Sequence, residues 1–280
     1  MRLTIVLLCS GLLCGWNAGI LSAQNLTTPE GVLSMENKAI DDSEEARQAI
    51  LDLYKGLRVT DVSDGMDWIG RPDVGVMRDY IRPLWTNSKT LAHVIVGFAV
   101  TTRYLPTDKV PPNPHPDGDY MPFQRMWYGT LTQAGWAKLL RPGDIVVIDA
   151  NECDVGLMGS NNSMAWRRNG AVGVISNNGP RDTDEIIAMQ FPVYSRKVNY
   201  GTNMGRVEIE SWNRPINCGG VKVYPGDVVV ADNDGVVVVP REHALEVGRI
   251  AKKIADGDQA SRAKQADEMG LPRDKRIEKY

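Results

Sequence analysis

The spacing of hydrophobic residues predicts helices towards both ends of the chain and buried strands between them. Apolar residues recur every three or four positions in Asp42–Leu57, which predicts an amphipathic helix with Asp42 and Glu45 as its capping box. A second short helix is predicted for Val62–Ile69. A last helix is predicted to start near Glu242 and to continue into a charged tail.

Three hydrophobic runs in the centre are typical of buried strands. Leu91–Thr101 is one of them, and the other two, Arg141–Asp149 and Tyr224–Asp232, share a Pro-Gly-Asp string followed by β-branched residues. Such a string suits a tight turn that leads into a core strand. The last run continues through an Asn-Asp-Gly hairpin signal into Val236–Pro240. Alternating strands and helices closed by a hairpin favour a mixed α/β sheet or barrel.

A proline-rich segment separates the first strand from the second. Leu105–Pro122 contains six prolines and is predicted to be an irregular loop. A helix rich in Trp and Met is predicted to follow, at about Phe123–Leu140. The chain has no GxGxxG fingerprint and no P-loop, so a dinucleotide or NTP enzyme is not expected.

The first 23 residues have the layout of a secretory signal peptide. Arg2 precedes an apolar run, Leu3–Leu13, and small residues lie near Ala23. The run is short for a membrane-spanning helix, so we expect cleavage and no membrane attachment afterwards. The sequence therefore predicts an exported protein, periplasmic or secreted, with a polar linker over residues 24–41.

The charge and the histidines exclude several classes of function. The formal net charge is −3 without a basic stripe, so nucleic acid is not expected as a partner. His93 lies in an apolar strand and is expected to be structural, whereas His115 with Asp117 and Asp119 is expected to belong to a solvated loop. No zinc-ligand spacing and no nucleophile elbow occurs, which leaves covalent catalysis without a candidate.

Two cysteines remain after the predicted cleavage, Cys153 and Cys218. In an oxidising compartment they could form a disulfide, but two residues do not define a disulfide framework.

The segment Gly159–Glu185 carries the candidate chemistry. It is predicted to form a short helix, a buried strand, a Gly-Pro turn and a second helix that Arg181 and Asp182 open. In one interpretation, Asp182 and Glu185 form an ordinary capping box. In the other, Arg181 binds a carboxylate and Asp182 faces a hard cation such as Mg²⁺.

A second helix start precedes this pair. Gly159, Ser160, Asn161 and Asn162 come before a predicted helix at Ser163–Arg168. Glycine permits close approach of the backbone, and the N–H groups of a helix start favour an anion. The alternative is a well-capped helix start without a ligand.

Together, three strings resemble the RraA-like family: IVGFAVTT, then GSNNSMAWRRNGAVGVISNNGPRDTDEI, then GVKVYPGDVVVADNDGVVVVP. This family includes class II 4-hydroxy-4-methyl-2-oxoglutarate aldolases with oxaloacetate decarboxylase activity, and the inhibitor of ribonuclease E. The likeness covers roughly Val59–Gly257, which predicts an RraA-like domain at 42–257 and a charged helical tail at 258–280. The resemblance implies a swivelling β/β/α fold, also called phosphohistidine-domain-like. It also implies a homotrimer, or a hexamer made of two, with sites between subunits.

The resemblance implies a role for each candidate residue. Arg181 would contact the pyruvoyl group, and Asp182 would hold Mg²⁺ or Mn²⁺. The backbone that follows Gly159, from Ser160 to Asn162, would receive the substrate carboxylate. The implied function is a divalent-metal-dependent lyase on a small 2-oxo acid, which breaks a C–C bond through a metal-stabilised enolate.

One residue departs from the family pattern. The aldolase motif has Asp or Glu, then twenty residues, then Arg-Asp, and this spacing falls on Ser160. A hydroxyl orients water but neither shares the metal's charge nor acts as a base near neutral pH. Two alternatives follow: a non-catalytic binding or regulatory protein, or a lyase or isomerase for a sugar-derived acid with Ser160 and Asn161 reading its hydroxyls. Asp256 or Asp258 of a neighbouring subunit lies in the right region to supply an acid.

Overall fold

A computed structural model describes residues 35–111 and 120–279. The predicted signal peptide lies outside these residues, as do most of the predicted linker and the loop residues His115, Asp117 and Asp119. None of the helices in the described ranges is long and apolar enough to cross a membrane.

Helices and strands alternate through the centre of the chain, as the hydrophobic pattern predicts. The α-helices are α1 (Glu44–Tyr54), α2 (Val59–Trp68), α3 (Met121–Met126), α4 (Ser160–Arg168), α5 (Thr183–Ala188) and α6 (Ala244–Met269). The strands are β1 (Arg82–Pro83), β2 (Ile95–Pro106), β3 (Asp144–Asp149), β4 (Gly156–Met158), β5 (Ala171–Ser176), β6 (Gly179–Pro180), β7 (Val193–Ser195), β8 (Val207–Trp212), β9 (Ile216–Cys218), β10 (Val221–Val223), β11 (Val228–Asp232) and β12 (Gly235–Val239).

Eight of these strands form one mixed sheet in the order β1-β7-β5-β3-β2-β11-β12, with β8 added to β2. Strands β2, β3, β5 and β7 are parallel, and the remaining pairings are antiparallel. Beyond β12, Met77 N–H donates to Val236 O (3.0 Å) and Val238 N–H donates to Gly75 O (2.9 Å). These bonds nearly close the sheet into a barrel, which confirms the predicted mixed sheet or barrel.

The long strand β2 has one continuous edge and one divided edge. Its Phe98–Arg103 pairs with β3 along the first edge. On the other edge, Ile95–Phe98 pairs with β11 and Thr102–Pro106 pairs with β8, with a register shift after Arg103. One strand therefore joins elements that lie far apart in the sequence.

Side chains of successive strand residues point to opposite faces of the sheet. In β11, Val229 and Ala231 belong to a hydrophobic cluster inside the barrel. Val228 and Val230 belong instead to a cluster outside it, where α1, α2 and α6 pack. A third cluster lies outside β3 and β5 and includes Trp166 of α4 and Ile186 of α5. Helices thus cover the outer face of the barrel on two sides.

The repeated Pro-Gly-Asp string forms the same tight turn twice. Gly143 has φ 85° and Asp144 N–H donates to Arg141 O (3.1 Å). Gly226 has φ 83°, and the equivalent bond in Tyr224–Asp227 is 3.2 Å long. A positive φ after proline is the pattern of a type II turn, which favours glycine at this position. The predicted turns into β3 and β11 are confirmed.

The predicted helix at Phe123–Leu140 is wrong. The chain forms α3, then a π-helical turn at Trp127–Leu131, and then a 3₁₀ turn at Gly135–Leu139. Gly129 and Gly135 lie in this segment, and glycine destabilises a helix interior by about 1 kcal/mol relative to alanine. The first two elements are contiguous, and the helical structure is broken once, at residues 132–134.

Two predictions about helix ends also need correction. Ser43, not Asp42, caps α1, because its side chain accepts a hydrogen bond from Ala46 N–H (3.3 Å). The predicted tail is helical only as far as Met269, because Gly270 (φ 68°) ends the helix in the left-handed conformation. The following residues fold back, and Ile277 becomes buried.

The cysteines and His93 have structural positions. Cys153 and Cys218 are free thiols, since Cys153 packs against the outer cluster of β3 and Cys218 lies inside the barrel. The considered disulfide is therefore absent, and burial raises the pKa of the Cys218 thiol. His93 is buried, and its Nδ1 accepts a hydrogen bond from Asn87 N–H (3.1 Å).

Candidate active site

Two short parallel strands bring the candidate residues together. Strand β4 pairs with β6, with Met158 opposite Pro180, and Arg181 N–H donates to Met158 O (2.9 Å). The residues that follow the two strands therefore lie side by side, with Gly159 next to Arg181 and Asp182. Helix α4 begins after Gly159 and helix α5 begins after Asp182.

The Asp182 carboxylate binds the start of α4, the helix of the other strand. Its Oδ2 accepts a hydrogen bond from Ser160 N–H (3.2 Å) and lies 3.5 Å from Ser160 Oγ. Its Oδ1 lies 3.3 Å from Arg181 Nε. The side chain makes no capping bond to α5, so the interpretation of Asp182 and Glu185 as a capping box is wrong.

The backbone of Asp182 is in the left-handed region, with φ 54° and ψ 42°. Few non-glycine residues adopt this conformation, and Asp is among those that tolerate it. Unusual backbone conformations of this kind cluster at active sites and ligand clamps. At Asp182 the conformation directs the carboxylate towards α4 instead of along its own helix.

The close approach of this carboxylate requires a glycine at position 159. A Cβ atom at Gly159 would lie 2.2 Å from Asp182 Oδ2, which is far inside contact distance. The φ of Gly159 is −137°, a value open to any residue, so the requirement for glycine is steric. The helix begins at Ser160, three positions before the predicted start at Ser163, and Asn162 Oδ1 accepts from Gly159 N–H (3.3 Å).

These residues open onto a cleft with a volume of about 630 Å³. Five of the six residues named from the sequence line it directly: Gly159, Asn161, Asn162, Arg181 and Asp182. Ser160 is bonded to Asp182, which lines the cleft. The sequence did not identify the other walls, which come from β2, from the Trp- and Met-rich segment after the proline-rich loop, from the middle of α4, and from a later loop. Their polar and aromatic members are Tyr104, Tyr120, Gln124, Tyr128, Thr132, Trp166, Thr202 and Asn203.

Tyr104 gives the buried wall a neutral phenol. Its side chain is 4% exposed, and desolvation by burial raises its pKa to about 12. The phenol therefore stays protonated at neutral pH and acts as a hydrogen-bonding group, not as a base. Asp182 is the single carboxylate among the described residues that line the cleft.

The residues present fit a divalent metal that is bound weakly, by few protein ligands. Asp182 Oδ2 and the Ser160 hydroxyl lie close together, and the described ranges contain no group of three His, Cys, Asp or Glu side chains able to bind a metal. Mg²⁺ accepts such a site, because it commonly takes one or two carboxylates and fills its shell with water and substrate oxygens. Within the same chain, Asp256 and Asp258 lie on α6 and pair with Lys252 and Arg58 instead.

The structure thus combines a nearly closed mixed sheet with an Arg-Asp pair after one short parallel strand and a glycine after the neighbouring one. The family model described as RraA-like (Aldolase/RraA) matches residues 59–238. The chain belongs to the RraA-like family, and its fold is the RraA-like fold that the sequence predicts.

Individual relatives agree with this assignment. A protein of Halalkalibacterium halodurans, provisionally named a 4-hydroxy-4-methyl-2-oxoglutarate aldolase, is 34% identical over 42% of this chain and 57% of its own length. The chain thus spans little more than half of that relative.

Two solved structures resemble the fold. RraAS2 of Streptomyces coelicolor, described as an unusual member of the RNase ES inhibitor RraA protein family, has a TM-score of 0.60 at 19% identity. The match covers 80% of this chain and 99% of that one. A protein of Pseudomonas syringae pv. tomato has a TM-score of 0.61 at 22% identity, with 80% and 94% covered. At these identities the likeness bears on the fold alone.

Proposed function

We propose that the protein is a divalent-metal-dependent lyase that acts on a 2-oxo acid, in the manner of a 4-hydroxy-4-methyl-2-oxoglutarate aldolase or an oxaloacetate decarboxylase. The observation that carries the proposal is the Asp182 carboxylate, which is held by Ser160 N–H beside Arg181 at the wall of a large cleft. The aldolase name of a relative supports the same reaction class. The proposed assembly is a homotrimer, in which a neighbouring subunit adds an acidic residue.

The chain's own residues bind and orient the substrate in this proposal. The planar guanidinium of Arg181 matches a carboxylate or a pair of oxo oxygens, and the first turn of α4 favours negative charge at Asn161 and Asn162. Asp182 and Ser160 would hold Mg²⁺ or Mn²⁺. The bound metal would supply Lewis acidity towards the 2-oxo group as the adjacent C–C bond weakens.

The lining residues favour decarboxylation over aldol cleavage. Aldol cleavage starts with removal of a hydroxyl proton by a base, whereas loss of CO₂ from a 3-carboxylate needs no base to begin. Ser160 stands where the family has an acidic residue, and the Tyr104 phenol remains protonated. Oxaloacetate is therefore the first substrate to test.

We expect wild-type protein to release pyruvate from oxaloacetate faster than the same Mg²⁺ concentration does without protein. Excess EDTA should return the rate to the metal-free background, because Asp182 alone offers no route without a metal. A coupled lactate dehydrogenase assay measures this rate directly. Equal rates with and without protein, over a range of Mg²⁺ and Mn²⁺ concentrations, would contradict the proposal.

The second candidate is a non-catalytic binding or regulatory protein with the same fold. It is favoured by one observation: Ser160 replaces the acid and leaves Asp182 as the single carboxylate among the described residues of the cleft. Such a protein would bind its ligand without turnover.

The variant Ser160→Asp tests the difference between these two functions. A second carboxylate beside Asp182 should raise Mg²⁺ affinity by about tenfold, which corresponds to about 1.4 kcal/mol. Ser160→Asn, which introduces the neutral isostere of aspartate, is the matched control and should not raise the Mg²⁺ affinity. Isothermal titration with Mg²⁺ measures both. Decarboxylation that appears only in Ser160→Asp would assign the wild-type protein to the binding class, whereas an unchanged Mg²⁺ affinity would place the metal away from this residue.

A further inference from the structure

The cleft offers more room than a small 2-oxo acid needs. Its volume of about 630 Å³ lies within the range of about 300–1,000 Å³ for sites that enclose drug-sized ligands. Arg181 and Asp182 account for one part of the lining, and both would act on the oxo-acid group. The remaining walls have a different chemistry.

Two buried polar atoms in these walls lack a partner. Thr132 Oγ1 and Asn203 Oδ1 make no hydrogen bond within the described residues. Thr132 is 7% exposed and Asn203 is 8% exposed, and both residues line the cleft. A buried polar group without a partner destabilises the folded state, so proteins rarely keep one without a reason. Two such residues around one cleft indicate a ligand with polar groups at matching positions.

The hydrogen-bonding chemistry of the two unpaired atoms specifies which groups the ligand must carry. The Asn203 carbonyl oxygen only accepts hydrogen bonds, so its partner must donate. The Thr132 hydroxyl both donates and accepts. A ligand hydroxyl satisfies either atom, whereas a ligand carboxylate accepts from the Thr132 hydroxyl but has no hydrogen to donate to Asn203 Oδ1.

Away from Arg181, the described walls of the cleft offer no cation to pair with an anionic group at the far end of a ligand. Among the described residues that line the cleft, Arg181 and Asp182 are the charged ones, and the other polar side chains are neutral. Tyr120, Tyr128 and Trp166 add aromatic surface, and Tyr128 is held at the wall by a 3.2 Å hydrogen bond to Thr202. Aromatic faces with a few placed polar groups are typical of sites that recognise an uncharged organic group.

We propose that the cleft binds a 2-oxo acid with an uncharged, hydroxylated tail, as in a sugar-derived acid, and that the tail's hydroxyls bond to Thr132 and Asn203. This inference rests on the proposed function for the placement of the oxo-acid group at Arg181 and Asp182. It names the substrate class that the same cleft selects, and it assigns Thr132 and Asn203 as specificity-determining residues.

The test compares two six-carbon 2-oxo acids in the presence of Mg²⁺. One is 2-oxohexanoate, and the other is 2-keto-3-deoxygluconate, which has the same carbon chain with hydroxyls at three carbons. We expect wild-type protein to bind the hydroxylated acid at least about tenfold more tightly by calorimetry, from two added hydrogen bonds. Equal affinities for the two acids would overturn the inference.

Variants assign the preference to the two residues. Thr132→Val keeps the side-chain shape without the hydroxyl, and Asn203→Ala removes the orphaned oxygen. Each variant should reduce the affinity ratio of the two acids, and the double variant should bring it close to one. Thr130→Val is the matched control, because Thr130 lies in the same segment and its hydroxyl bonds to Met126 O instead of lining the cleft. An affinity ratio that the double variant retains would also overturn the inference.

A third ligand separates this inference from the proposed function. D-Gluconate carries hydroxyls but no 2-oxo group. Binding of gluconate that depends on Thr132 and Asn203, in a protein that releases no pyruvate from oxaloacetate, would support the hydroxyl site while the lyase proposal fails. Pyruvate release from oxaloacetate without any preference for hydroxylated acids would support the lyase and overturn the hydroxyl site.

Discussion

Asp182→Asn should lower kcat/KM for Mg²⁺-dependent pyruvate release from oxaloacetate by about 10³-fold or more, a loss of about 4 kcal/mol of transition-state stabilisation. Asparagine keeps the size of the side chain and an oxygen that accepts the hydrogen bond from Ser160 N–H. It removes the negative charge that would hold the metal. The fold should therefore persist while metal affinity and turnover are lost together.

The matched control for this variant is Asp184→Asn. Asp184 lies in the first turn of the same helix, α5, but it does not line the cleft. Because it also carries negative charge near a helix start, the control corrects for any general change in α5. Rates of Asp182→Asn that match those of Asp184→Asn would contradict the role of Asp182. Circular dichroism and thermal unfolding of both variants show whether the fold is retained.

Gly159→Ala should lower the same kcat/KM by about 10²-fold in a folded protein. The new methyl group would lie 2.2 Å from Asp182 Oδ2, so the carboxylate or the start of α4 has to move. Misplacement of a reacting group by about 1 Å costs on the order of 10² in rate. The measurement is the decarboxylation rate together with Mg²⁺ titration, which should show a weaker metal site.

Gly257→Ala controls for the general effect of replacing a glycine. Gly257 lies within α6, and a Cβ there would meet no atom within 4 Å. Alanine in a helix interior is favoured over glycine by about 1 kcal/mol, so this variant should be slightly more stable and fully active. Normal metal binding by Gly159→Ala would mean that the close approach of Asp182 is not needed for the site.

The barrel was predictable because its signals are local. Val-rich runs such as Val228–Asp232 predict the strands. The glycine of each Pro-Gly-Asp turn predicts the positive φ of the turn that leads into β3 or β11. These residues act on their immediate neighbours. Helix ends depend on weaker interactions: Ser43 caps α1, whereas Asp42, which was predicted to cap it, pairs with Arg47 and Arg141.

The segment between Tyr120 and Leu140 was harder to predict. Its Trp and Met residues suit a helix, but the helical structure stops after Leu131 and only a 3₁₀ turn at Gly135–Leu139 follows. The partners that fix the segment are distant in the sequence: Tyr128 bonds to Thr202, and Tyr120 bonds to Met204. A pattern of nearby residues contains no information about such contacts.

The candidate site also has a part that the sequence predicts and a part that it does not. Arg181 and Asp182 were named from their order in the sequence and from a family likeness, and their chemical roles stay predictions. The link from Asp182 to the start of α4 required the left-handed backbone of Asp182, which no local pattern indicated. Thr132 and Asn203 had no signal at all, because each is an ordinary polar residue until the fold buries it against the same cleft.

The divided edge of β2 has a consequence for how the chain folds. The strand ends at Pro106, yet β8 begins at Val207 and β11 begins at Val228, so its second edge stays unpaired until late in synthesis. Pairings between such distant segments slow folding, because the entropy of closing a long loop is lost before contacts form. An unpaired strand edge is also a template for association with other chains. A polypeptide that stops before β8 therefore exposes this edge of β2 to other chains, and the edge is covered only once β8 and β11 have paired with it.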